Sequence, residues 1–148
     1  MERASLHWDV IDPLWNVINI YDGPGVFLAT FNQVSRGAGL LFAAHFCQSE
    51  VCNGGFHQFF FNSTGVLAPE AVDGFTAIEQ VQVADLLRQA MALLGSPYTR
   101  EREARQATID LLPPGRFDEL DGKFFALLRS EAGGFEVAAD RYAAGIAS

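Results

Sequence analysis

Cations are scarce where a nucleic-acid ligand would need them. The 148-residue chain has ten Lys and Arg against eighteen Asp and Glu, and none of the ten lies between Arg36 and Arg88. A phosphate backbone demands clustered positive charge, so no direct contact with nucleic acid is expected. Cysteine is nearly missing too: Cys47 and Cys52 are the only two. That is too few for a disulfide scaffold and implies reduced thiols. No apolar run reaches the ~20 residues of a membrane span. The most apolar stretch, residues 38–47, also contains His45 and reads as a buried helix, so no membrane partner is expected. Met1-Glu2-Arg3-Ala4-Ser5 lacks the basic and then apolar layout of a signal peptide, and the expected location is cytoplasmic. Strand signals, internal repeats and low-complexity segments are likewise lacking, as is any familiar catalytic motif.

The acids that are present are unevenly spread. Residues 1–87 carry nine of them against Arg3 and Arg36, a net of −7, whereas residues 88–148 carry nine acids and eight bases, a net of −1. The natural electrostatic complement of the first part is a basic protein.

Helix punctuation recurs along the chain. Asp12-Pro13 reads as a helix start opening residues 14–21, closed by Asp22-Gly23-Pro24-Gly25. A short helix is expected over 26–34, and a central helix around Leu40 to Cys47 turns polar at Gln48-Ser49-Glu50. Ala68-Pro69-Glu70 starts another helix, reaching Ile78. Val83, Leu86, Leu87, Ala90, Met91 and Leu94 form an amphipathic stripe capped by Gly95. Thr99 can cap a helix carrying a Glu101–Arg105 ion pair. Phe117, Leu120, Phe124, Leu127 and Leu128 form the next stripe, and Phe135, Ala138, Ala139, Tyr142 and Ile146 the last. The reading is all-α: one domain over 1–148, about eight helices joined by short Gly/Pro loops.

Residues 50–65 stand apart in their density of Phe, Gly and amide side chains. Asn53-Gly54-Gly55 can stop the preceding helix through left-handed backbone angles. Phe56, Phe59 and Phe60 then share the apolar face of a short helix. Gln58 and Asn62 have amides suited to bonding loop backbone, and Glu50 sits where a carboxylate needs N–H donors. Gly65 closes the unit. The pattern Glu50-Val51, Asn53-Gly54-Gly55-Phe56, Gln58-Phe59-Phe60, Asn62-Ser63 and Gly65 resembles the bacterial DNA-mimic protein family, otherwise a domain of unknown function. Ala68-Pro69-Glu70-Ala71, the helix around 86–94, Arg102 to Arg105 and Leu120-Asp121 with Phe124-Phe125 extend the likeness over about 35–145. Cys52 departs from it, standing where the family commonly has Asn.

That resemblance implies an all-helical fold and a non-catalytic homodimer whose acidic surface imitates duplex DNA on the DNA-binding face of a transcriptional regulator. Separately, the residue patterns lead to the expectation of no cofactor and no metal. The motif then carries fold more than function, and the candidate partner-binding acids are Asp9, Asp12, Asp22, Glu70, Asp73, Glu79 and Asp85. The alternatives are an interaction or immunity module using aromatics near Trp8, Trp15 and Phe56 to Phe61, and an enzyme with a site around His57, Glu50 and Cys52. Exposed Gly54 and Gly55 N–H groups could take an anion, but no nearby cation would assist. His45, Cys47, Cys52 and His57 cluster in sequence, but their spacing matches no common zinc pattern.

Overall fold

The computed structural model describes residues 5–147. Residues 1–4, with Arg3 and most of the segment read against a signal peptide, lie outside that range, as does Ser148. Among the described residues there are eight α-helices and no strand, as the all-α reading expects.

The N-terminal part departs from expectation. Helix α1 (Leu6–Ile11) precedes Asp12-Pro13, which opens only a short 3₁₀ turn over Asp12–Asn16. No α-helix covers 14–21. Ile18 and Ile20 are both buried, and residues two apart cannot face the same side of a helix, so the chain runs irregularly here. Asn19 anchors it: its N–H donates to Thr30 Oγ1 (2.9 Å), and its side-chain oxygen accepts the N–H groups of Tyr21 and Asp22.

Helix α2 (Pro24–Phe31) leads to α3 (Arg36–Phe61), the central element, with Leu41, Phe42, Ala43, Ala44, Cys47 and Val51 fully buried. Helix α4 (Ala68–Ala77) lies against α3 at very close range. A Cβ on Gly74 would stand 2.3 Å from the Leu40 carbonyl oxygen, so only glycine permits the approach. Helix α5 (Val81–Ala92) has no side-chain cap of its own. Glu131, fifty residues downstream, supplies one by accepting the N–H groups of Gln82 (2.8 Å) and Val83 (3.0 Å). Helices α6 (Arg102–Asp110), α7 (Asp118–Ser130) and α8 (Phe135–Ala147) complete the fold, with α8 packed on α1.

A continuous apolar core joins these helices, rich in phenylalanine: Phe27, Phe42, Phe56, Phe59, Phe60, Phe75 and Phe124 are all fully buried. The α8 stripe is looser at its end, where Ile146 is exposed. The expected Glu101–Arg105 ion pair does not form. Arg105 turns inward instead, and Thr99 caps nothing, because Glu101 is the residue preceding α6.

Candidate functional site

The Asn-Gly-Gly-Phe segment is a break inside α3. Gly54 (φ −150°, ψ 18°) and Gly55 (φ 77°, ψ 178°) leave helical geometry, and helix resumes at Phe56. The break strips the Phe56 N–H of a helical acceptor, and Asp121 Oδ1 from α7 takes it at 2.8 Å. Burial pushes the Asp121 carboxyl up from its ordinary pKa, while the Phe56 N–H acts in the opposite direction. Phe56 and Phe60 stack at 5.9 Å, and Phe56 meets the Phe124 ring edge-on at 5.1 Å.

The far end of α3 presents carbonyls with no helical partner, and α6 satisfies them. Arg105, fully buried, donates through Nε to the Phe60 carbonyl (2.9 Å), through Nη2 to that of Asn62 (2.8 Å) and through Nη1 to that of Arg100. Gln106 and Arg102 both donate to the Phe61 carbonyl. The Tyr98 hydroxyl and Arg100 complete the arrangement on the Gly65 and Val66 carbonyls. A helix C-terminus carries partial negative charge, so a planar five-donor cation fits it without a carboxylate partner. Burial draws the Arg105 pKa below its usual value.

Glu50 does find an N–H donor nearby, as expected, and a hydroxyl besides. Its Oε2 accepts the Gln58 amide at 2.6 Å and its Oε1 the Thr64 hydroxyl at 3.0 Å. The Gly54-Gly55 break redirects the chain, so Gln58 and Thr64 from beyond it reach the carboxylate that precedes it. Glu50 borders an open groove of about 670 Å³, lined also by Trp15, Tyr21 and Phe46. Cys52 also reaches this groove, but burial raises its thiol pKa, the opposite of nucleophile activation. His57 lines a different cavity, of about 320 Å³, with Gly54, Asp121 and the Pro113–Pro114 loop, and stacks on Phe61. Glu50 and His57 therefore do not face a common space, and the site proposed around that pair does not assemble.

The candidate acids fare differently from one another. Glu70 is held bidentate by Arg100 (2.7 and 2.8 Å) and is mostly buried, so it cannot serve a partner. Asp73 and Glu79 are exposed but lie 3.3 Å from Arg36 and 3.5 Å from Arg141. Asp9, Asp12, Asp22 and Asp85 are exposed without an ion pair among the described residues, with Asp22 accepting from Asn19 and Asp85 from Gln89. The charge asymmetry along the sequence is thus partly cancelled in space: Arg100 and Arg141 from the second part sit on acids of the first. The aromatic reading needs the same correction. Phe56, Phe59 and Phe60 are core residues, and the exposed aromatics are Trp8, Trp15 and Tyr21.

His45, Cys47, Cys52 and His57 do not gather. Cys47 is buried and Cys52 exposed. Among the described residues His7, Glu136 and Asp140 do bring ligand atoms within 4.8 Å of one another. The His7 Nδ1 to Asp140 distance of 2.8 Å is an ordinary hydrogen bond, and Asp140 also accepts the His7 backbone N–H, which accounts for the grouping without an ion.

His45, packed at tilted and edge-on angles against His7, Trp8 and Phe46, has a buried Nδ1 without a partner among the described residues. Burial, with His7 as a lesser cause, lowers its pKa from 6.5 to about 4. Between those values the unfolded chain takes up a proton that the folded chain refuses. Stability is therefore expected to fall by on the order of 1–3 kcal/mol as pH drops from 6.5 to 4, and not to change through this group above pH 6.5. Urea titrations across that range should show a shallower fall for His45→Phe; an identical slope would assign the acid sensitivity elsewhere.

No helix among the described residues is long and apolar enough to cross a membrane. The model of a family described as DMP19-like protein matches residues 32–145. No curated protein and no solved structure matches the chain.

Proposed function

The chain belongs to the DMP19-like protein family, a family of DNA mimics, and on that premise we propose that it is a non-catalytic domain that binds another protein by imitating duplex DNA. The partner is a DNA-binding transcriptional regulator, engaged through its DNA-binding face. The observation that carries this reading is the family match over most of the chain together with a net charge of −8.

Charge magnitude argues for a dimer. Duplex DNA carries one charge per ~1.7 Å of axis, so a mimic of ten base pairs needs on the order of twenty negative charges. One chain at −8 falls short, and two copies at −16 come closer. The surrogates are Asp9, Asp12, Asp22 and Asp85, acids without an ion pair among the described residues. Asp9 belongs to α1, which packs against α8 and so lies near Glu136 and Asp140, and Asp12 follows in the adjoining turn. Glu70 leaves the set, and Asp73 and Glu79 contribute less because their arginines travel with them.

A gel-shift competition tests the proposal. Regulator–DNA complexes from a cell lysate are expected to lose DNA on addition of this protein at low salt and to retain it as salt rises, since exposed charge pairs are screened beyond a Debye length of ~10 Å at 0.1 M. Combined Asp9→Asn, Asp12→Asn, Asp22→Asn and Asp85→Asn substitutions should weaken the competition at least tenfold with little change in melting temperature. Undiminished competition by that variant would refute the surrogate set, and no competition at any salt would refute mimicry.

A further inference from the structure

From the groove beside the α3 break we infer a second binding site, one that takes a guanidinium group presented on an arginine side chain of a protein partner. It goes beyond mimicry, which needs many dispersed carboxylates; here a single carboxylate shares a groove with a cluster of aromatic rings. Trp15 and Phe46 lie with ring centroids 4.9 Å apart, and Tyr21 meets Trp15 edge-on at 6.2 Å and 90°. Trp15 and Tyr21 are 41% and 65% exposed, so part of each ring is open to a ligand although Trp15 also packs on Phe46. Aromatic faces carry negative quadrupole density and attract cations, most strongly for indole.

Glu50, one turn of α3 beyond Phe46, is the only charged residue lining the groove among the described residues. A carboxylate has about four acceptor positions, and Gln58 and Thr64 use two, leaving capacity toward the opening. Those same two bonds hold the carboxylate in place, so a ligand need not pay to order it. The neighbouring amide oxygens of Gln48, Asn53 and Asn62 can accept further N–H groups.

A guanidinium suits this lining better than an ammonium. Its plane stacks on an indole while its five donors spread between a carboxylate and several amide oxygens. The groove, at about 670 Å³, exceeds a single side chain and has space for the peptide on either side of it.

The probe is N-acetylarginine amide, titrated against the intact protein while the backbone amide resonances of Tyr21 and Asn53, which line the groove and remain in every variant, are followed. Saturable binding is expected, with N-acetylcitrulline amide, neutral and nearly isosteric, at least tenfold weaker. Glu50→Gln and Trp15→Leu should each weaken arginine binding at least tenfold. Trp15 is exposed, so its variant is expected to stay folded even if Glu50→Gln loses stability. Methylguanidine should bind at least tenfold more weakly than the arginine amide, because it lacks the stem that lies along the aromatic wall. Equal binding of citrulline, no response to Trp15→Leu, or equal affinity for methylguanidine would overturn the assignment. Because each readout uses isolated protein and probe, failure here is distinct from failure of the DNA competition.

Discussion

Replacing Arg105 with alanine is expected to lower stability by about 3–5 kcal/mol, the range for disrupting a buried hydrogen-bonded charged group. At about 2–4 °C per kcal/mol for a chain of this size, the melting temperature should drop by roughly 10 °C or more. The loss has three sources. The carbonyls of Phe60 and Arg100 lose the Arg105 donor inside the protein, and that of Asn62 keeps only the Gly65 N–H. The end of α3 loses the cation that faces its negative pole. A fully buried long side chain also leaves a cavity against Gly65, whose missing Cβ makes room for the guanidinium: a Cβ there would stand 2.7 Å from Arg105 Nε. Arg105→Lys should recover less than half of the loss, since an ammonium cannot reproduce a fork spread over three carbonyls. Thermal unfolding of both variants checks this. A melting point for Arg105→Ala within 2 °C of the parent would mean that water replaces the guanidinium without cost.

The second large effect is expected at Gly55. With φ 77° and ψ 178° it occupies a backbone region open essentially to glycine alone, where another residue costs of order 1–3 kcal/mol. A Cβ would also stand 2.6 Å from Asp121 Oδ2, displacing the carboxylate that accepts the Phe56 N–H. Together these should make Gly55→Ala destabilising by about 3–5 kcal/mol. Gly54→Ala is the instructive comparison. Gly54 has a negative φ of −150°, and its Cβ would strike the Gln58 side chain, including Gln58 Cβ at 2.8 Å. Displacing the amide breaks its bond to Glu50 and the Cβ contact asks for a small shift of the chain, for about 1–3 kcal/mol in all. Adjacent glycines should thus differ by a few kcal/mol in chemical denaturation; equal effects would show that side-chain crowding, and not backbone geometry, sets the requirement for glycine.

Both predictions fall within or beside the Asn-Gly-Gly-Phe segment, and they show how much of it could be read from the chain. That Gly54-Gly55 interrupts a helix, and that Phe56, Phe59 and Phe60 form one apolar face, follows from local rules: glycine's freedom at positive φ and the 3.6-residue period. The helix start at Ala68-Pro69 and the stripe from Val83 to Leu94 are legible from similarly local rules, whereas Pro24, which reads as part of a closing loop, opens α2. The helix expected over 14–21 was not legible, because proline after Asp marks a turn of either kind, and Ile18 and Ile20 follow a spacing of two that becomes informative only once both are known to be buried.

Charge partners were the least legible feature. Glu101 and Arg105 stand four apart and invite pairing, yet Arg105 serves carbonyls more than forty residues away, and Glu70 reaches Arg100 across thirty. Asp121 binds Phe56 across sixty-five, and Glu131 caps α5 across almost fifty. The groove that joins Trp15 and Tyr21 to Glu50 has no trace in the linear order at all.

By itself the sequence determined the helical class, the break at Gly54-Gly55 and the net charge, because each depends on residues within a turn or two of one another or on a simple count. Which carboxylates face water, which are held by arginines, and which line a shared groove were decided only by tertiary packing. A side chain's partner depends on which distant segment the core brings beside it, and that proximity is a property of the packed helices and not of spacing along the chain.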